Sequence, residues 1–148
     1  MKNALSTFAF LLFAVAFLSC GVDERRAIPT AAQETIERVT EDIAAGRDQK
    51  VYAEAAEEWR ARVSEEENRR ILAQARERLG RVNSRAMHSG RQQQSALEGA
   101  HAPAAQTLVV TYQTTFERGT AMETFTLLER DGNWRLAGYS ISSDALRQ

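Results

Sequence analysis

The sequence predicts an α+β domain: three N-terminal helices packed on a curved four-stranded antiparallel sheet. Three observations predict it. Between residues 31 and 79, apolar side chains recur at helical spacing. After Gly80 the period changes from about 3.6 to 2. The strands that follow are joined by short turns, one of them containing Asp131-Gly132, and short turns join antiparallel neighbours. A chain of 148 residues allows one domain, and its 43% hydrophobic and 26% charged content is ordinary for a globular protein.

The elements follow in order. Thr30 reads as an N-cap with Gln33 as its capping-box partner; Ile36, Val39 and Ile43 then mark one helix, which Gly46 stops. A second helix starts near Asp48 and carries Val51, Tyr52, Ala55, Ala56, Trp59 and Val63 on one face. Ser64 with Glu67 forms another capping box. It opens a third helix with the stripe Ile71, Leu72, Ala75 and Leu79, closed by Gly80. The run SEEENRR is a solvated helix face, where the i,i+4 pairs Glu65–Arg69 and Glu66–Arg70 are worth only about 0.2–0.5 kcal/mol each.

Arg81 to His88 is a rather polar first strand, and residues 89–104, rich in Gln, Ala and Gly, read as a loop. Leu108, Val110, Tyr112, Thr114 and Phe116 alternate with Thr107, Val109, Thr111, Gln113 and Thr115 in a second strand. Glu117 to Thr120 is a tight turn, and Met122 to Glu129 the third strand. Trp134 to Ser142 is the fourth, with Gly138 marking a bulge or close packing. The domain spans residues 31–143, and 144–148 form a C-terminal tail.

The N-terminus raises a separate question, because LLFAVAFLSCG (11–21) ends on the one cysteine of the chain. Lys2 is followed by an apolar stretch, Ala4 to Leu18, too short to span a bilayer as a mature helix, for which about 20 residues are needed. A secretory signal fits better. Phe17-Leu18-Ser19-Cys20 resembles the lipobox of bacterial lipoproteins, with Phe17 where those proteins usually carry leucine. The resemblance implies a signal peptide over residues 1–19 and a diacylglycerol thioether on Cys20 as the mature N-terminus. Gly21 after the cysteine implies the outer membrane, facing the periplasm, in a host with two membranes. A lone cysteine has no internal disulfide partner, and lipidation gives it a role. Several acyl chains, at about 0.8 kcal/mol per buried methylene, would far exceed the marginal binding of one. Residues 20–30 then form the lipidated tether, its ten residues after the cysteine reaching roughly 35 Å when stretched.

The later segments RERLGRVNSR (76–85), VVTYQTTF (109–116), ETFTL (123–127) and DGNWRLAGYSI (131–141) resemble the bacterial family catalogued as domain of unknown function 4019. AEEWRARVSEEE (56–67) is compatible with its helical half. The resemblance covers about residues 32–142 and implies an exported or lipoprotein-like protein, with no reaction established. More loosely, helices on a bent antiparallel sheet are similar to the NTF2-like and cystatin-like folds. The NTF2-like cone often holds a ligand.

Chemistry is sparse. The formal net charge is −1, and from Cys20 onward the chain carries −2, too near neutral to predict a nucleic-acid partner. His88 and His101 are the only histidines and lie far apart, so no metal site is expected. No Gly-x-Ser-x-Gly and no phosphate-cradling glycine loop occurs, and no cofactor is predicted. Arg81, Arg85 and Arg91 read as a sheet edge kept soluble by charge. The remaining ligand-binding candidates are Tyr112, Glu123, Trp134, Arg135 and Tyr139, aromatics and charges that could converge on one sheet face. Trp134 and Tyr139 share that face only if Gly138 belongs to a bulge. The competing reading places Trp59, Tyr112 and Trp134 in the core, with Glu123 paired to an arginine. Three functions follow, the last a structural spacer with no ligand. The first is a non-enzymatic binding or interaction module of the cell envelope, with a protein partner or small ligand. The alternative is an NTF2-like enzyme using Glu123 or His88 as a base.

Overall fold

The computed structural model describes residues 28–95 and 105–147. Helices α1 (Thr30–Ala44), α2 (Asp48–Glu54), α3 (Glu57–Arg60) and α4 (Glu65–Leu79) precede strands β1 (Val82–Ser95), β2 (Ala105–Phe116), β3 (Gly119–Arg130) and β4 (Asn133–Ser142). The strands form one antiparallel sheet in the order β1-β2-β3-β4. The fold is therefore α+β, with the helices packed on a four-stranded sheet. The signal segment, Cys20 and the tether up to residue 27 lie outside the described residues.

The helical half differs from expectation at three points. Pro29, not Thr30, is the N-cap of α1, and its carbonyl accepts from Ala32 N at 2.9 Å and Gln33 N at 3.0 Å. Gln33 does not close a capping box; its amide donates to Glu37 instead. The expected second helix is two short helices, because Ala55 and Ala56 are extended, with ψ of 159° and 153°. In an unbroken helix Ala56 N–H would bond Tyr52 O; here it donates to Leu136 O on β4 at 2.8 Å. Docking on the sheet outcompetes one helical bond. In the charged run the pairs form at i,i+3, Arg69–Glu66 and Arg70–Glu67. The Ser64 cap forms as read, its Oγ accepting from Glu67 N, and Gly80 with φ of 78° ends α4.

The sheet departs from expectation in β1. Residues 89–95, expected as loop, pair with β2 from Ser89–Thr111 to Ser95–Ala105. Arg91, Gln92 and Gln93 are exposed, so no apolar alternation marks this half of the strand; backbone pairing holds it, with one side-chain bond from Gln92 Nε2 to Gln106 Oε1 at 2.6 Å. Residues 96–104 of the expected loop lie outside the described residues. The segment read as a tail contains a 3-10 turn, Asp144–Leu146, whose Ala145 and Leu146 pack on Leu79, Phe116 and Ala121.

One sheet face meets the helices. Leu108 and Val110 of β2, Phe125 and Leu127 of β3, and Leu136 and Tyr139 of β4 are buried there against Ile36, Val39, Val51, Trp59 and Leu72. Along β4 the inward positions change parity. Thr126 pairs with Gly138 but Leu127 pairs with Leu136, so Ala137 is an extra, bulged residue. Trp134 and Leu136 face inward before it, and Tyr139 after it. Gly138 lies against β3 so closely that a Cβ there would sit 3.1 Å from Thr126 Cβ. The outer edge of β4 is also covered. Thr35 Oγ1 donates to Trp134 O at 3.4 Å, Ala56 N to Leu136 O, and Arg62 Nη2 to Ala137 O at 2.8 Å.

Gly138→Val would push a branched side chain into Thr126 at the bulge. A loss of about 1–3 kcal/mol in chemical denaturation is expected, the usual cost of overpacking. Unchanged stability would mean that the strands separate there without cost.

Candidate functional site

Four strands each contribute one side chain to a buried polar ladder. Glu123 of β3 is 2% exposed. Its Oε1 accepts from Tyr139 Oη of β4 at 2.8 Å. Its Oε2 accepts from Arg85 of β1, with Nε and Nη2 each at 2.9 Å, and from Thr114 Oγ1 of β2. Register makes this possible. Arg85 is directly opposite Thr114, and Glu123 is opposite Tyr112 and Ile141, so the four residues sit on neighbouring inward positions. A buried carboxylate is tolerable only when it is paired and hydrogen-bonded. Both oxygens here are.

Tyr139 is fixed as the donor. Burial, then the neighbouring Glu123 charge and the hydrogen bond to it, push its phenol well above the ordinary tyrosine value. Tyr112, half-buried beside Glu123, is also raised, chiefly by burial. The rings form a row of edge-on and tilted contacts. Tyr112 meets Phe125 edge-on at 5.9 Å between centroids, and Phe125 meets Tyr139 at 5.1 Å.

Of the five ligand-binding candidates, the fold brings Glu123 and Tyr139 into contact and sets Tyr112 next to them. Trp134 faces the same side but lies at the other end of β4, buried in the core. Arg135 points to the opposite face and is exposed. Trp134 and Arg135 instead border a separate recess of about 360 Å³ with Thr35, Arg38 and Glu54. His88 is exposed at a bulge of β1 and does not border the cleft beside Glu123. The arginine expected on Glu123 is Arg85, which turns inward instead of serving as an exposed edge charge; Thr114 as a partner of the carboxylate was not foreseen. A signal existed: both occupy inward-parity positions of adjacent strands, but only the register puts them opposite each other.

A cleft of about 480 Å³ opens beside this ladder. Its helical wall is Thr40, Ile43 and Ala44 of α1 with Ala75 and Arg76 of α4; its sheet wall is Arg85, Phe116, Glu123 and Tyr139. Arg81, Glu117 and Arg118 form the mouth. A second ion pair stiffens the helical wall. Arg76 reaches both oxygens of Asp48, at 2.5 and 2.6 Å, and also donates to Ile43 O at 3.1 Å. Asp48 is buried at the start of α2, and the pair locks α2 to α4. Among the described residues, no group of three or more His, Cys, Asp or Glu could hold a metal ion, and no helix is long and apolar enough to cross a membrane.

Tyr139→Phe removes one donor from the buried carboxylate and should cost about 1–2 kcal/mol near neutral pH. The pH dependence has a definite sign. The folded phenol holds its proton above the unfolded value near pH 10, so its contribution is complete below that pH and lost as pH rises beyond it. Denaturation between pH 8 and 11 should show a steeper alkaline loss in the parent than in Tyr139→Phe. Equal slopes would place the phenol in a solvated setting.

Nothing among curated proteins matches this chain. Residues 31–139 match the profile of a family described as protein of unknown function, DUF4019. That match runs from the start of α1 to Tyr139 and takes in both walls of the cleft, and the chain belongs to this family.

Proposed function

We propose that this protein is an exported, lipid-anchored component of the cell envelope whose domain binds a small molecule without transforming it. The observation that carries the binding reading is the state of Glu123. A general base must reach substrate and take up its proton, but Glu123 is 2% exposed and its charged form is held by Arg85 and Thr114 on Oε2 and Tyr139 on Oε1. The carboxylate thus acts as a fixed charge that holds the cleft wall in shape. The NTF2-like enzyme alternative would require this ladder to open before a proton could move.

Support for the anchor comes from the sequence alone, from the lipobox-like Phe17-Leu18-Ser19-Cys20. The tether would enter at the N-terminal end of α1, whereas the cleft lies on Thr40 to Ala44 at its other end. At 1.5 Å rise per residue those sites are roughly 15–20 Å apart along the helix, so the cleft stays open to solvent while the chain is held at a lipid surface.

Two measurements test the reading separately. Cys20→Ser should leave the precursor unprocessed or release the chain from membranes, and mass spectrometry of the parent should find residues 1–19 gone and acyl chains on sulfur. A bare thiol with the leader retained would remove the anchor. Ala44→Trp fills the cleft from an exposed helix position. The full-length parent should carry a small molecule in native mass spectrometry, and this variant should lose it. Parent and variant both recovered bare would remove the binding function.

A further inference from the structure

The charges around the cleft do not cancel. Four arginines border it, Arg76, Arg81, Arg85 and Arg118. Three carboxylates answer them. Asp48 takes Arg76, Glu123 takes Arg85, and Glu117 takes Arg81 through Oε1 at 2.7 Å. Arg118 remains. It stands close enough to Glu117 to help lower that carboxyl's pKa, after the larger effects of Arg81, yet it joins no ion pair among the described residues. Its Nε lies 3.3 Å from where a side chain on Gly80 would begin, which sets the guanidinium at the mouth.

Arg85 adds unused donors inside. Its Nε and Nη2 both go to one oxygen of Glu123, which leaves part of the five-donor guanidinium fork uncommitted. The side chain is 21% exposed and borders the cleft. Apolar side chains come from both walls: Ile43, Ala44 and Ala75 from the helices, and Phe116 from β2.

We propose that this cleft takes an amphipathic anion, a single carboxylate or phosphate head on a short apolar chain. The head meets Arg118 and the spare N–H groups of Arg85, and the chain lies along Ile43, Ala75 and Phe116. This rests on the reading of the cleft as a binding site. Charge sets the head group, since an unpaired cation at a mouth whose other ions are matched favours an anion. The apolar walls set the tail, since an inorganic anion would leave them wet.

The test uses the full-length protein, isotope-labelled, with binding read from its own nuclear resonances at the Ile43 methyl groups and the Arg118 Nε. Hexanoate and hexyl phosphate are the probes, with hexanol and inorganic phosphate as controls; comparing the two probes tells carboxylate from phosphate preference. Both anions should give saturable shifts at both positions, with each control weaker by roughly tenfold or more, the worth of one charge-assisted hydrogen bond or of the buried chain. Arg118→Gln should weaken hexanoate by roughly tenfold at an unchanged melting temperature, and Ala44→Trp should abolish the Ile43 shifts. Hexanol binding as tightly as hexanoate, or Arg118→Gln binding like the parent, would overturn the anion assignment and leave the cleft as a neutral apolar site. Absence of any Ile43 shift with all four compounds would overturn both the assignment and the binding reading beneath it.

Discussion

A single extra residue in β4 decides what this sheet can hold. Without Ala137 as a bulge, strict alternation would put Arg135 and Tyr139 on one face and Trp134 and Leu136 on the other. The bulge breaks that alternation, and Trp134, Leu136 and Tyr139 all turn toward the helices. Tyr139 thereby reaches Glu123, and Arg135 is left outside in solvent. The same irregularity frees a carbonyl, Ala137 O, which Arg62 occupies from the helical side. Bulges bend and twist the strand that carries them. In this sheet the bend coincides with the point where helices and strands are bonded together.

The buried charges follow from that geometry. Glu123 is expensive to bury alone, and each strand contributes to covering the cost: a guanidinium, a hydroxyl and a phenol converge on it. Removing one partner of such a group leaves an uncompensated charge, which destabilises far more than the pair stabilises. The ladder is therefore weak evidence for stability and better evidence for specificity, because only one strand register satisfies it. The Asp48–Arg76 pair does the same for the helices, fixing α4 against the start of α2. Between these two rigid pairs the helices and sheet do not close, and the cleft is what remains.

Features set by local chemistry were legible in the sequence. The Ser64 cap, the Gly80 stop, the Asp131-Gly132 turn and the inward alternation of β2 depend on residues a few positions apart. The break at Ala55–Ala56 was not legible, since its cause is Leu136 O, remote in sequence. Nor was the second half of β1, where Arg91, Gln92 and Gln93 are exposed and no apolar alternation announces the pairing. Thr30 misled because its type favours a cap, while the fixed φ of Pro29 brings the chain into the helix one residue earlier. At the site, Glu123, Tyr139 and Tyr112 were legible as a group. Arg85 and Thr114 were not, because pairing across strands is invisible until register is known.

The two edges of the sheet are protected by different means, and the difference explains why the cleft lies where it does. At β4 the helical half supplies donors directly to strand carbonyls, from Thr35, Ala56 and Arg62. That attachment draws the N-terminal half of α1, with α2 and α3, onto the β4 side. β1 has no such cover among the described residues; it carries two register shifts and a polar, charged sequence instead, devices that discourage pairing with another strand. The helices are thus hydrogen-bonded along one edge, whereas at the other Met87 packs on the main core and Ile28, ahead of α1, lies against Gly90. Near β1, where Arg85 enters the ladder, helix and sheet diverge, and the 3-10 turn closes the far end against Leu79 and Phe116. An asymmetric attachment leaves one open corner, and Arg85 and Glu123 sit in it.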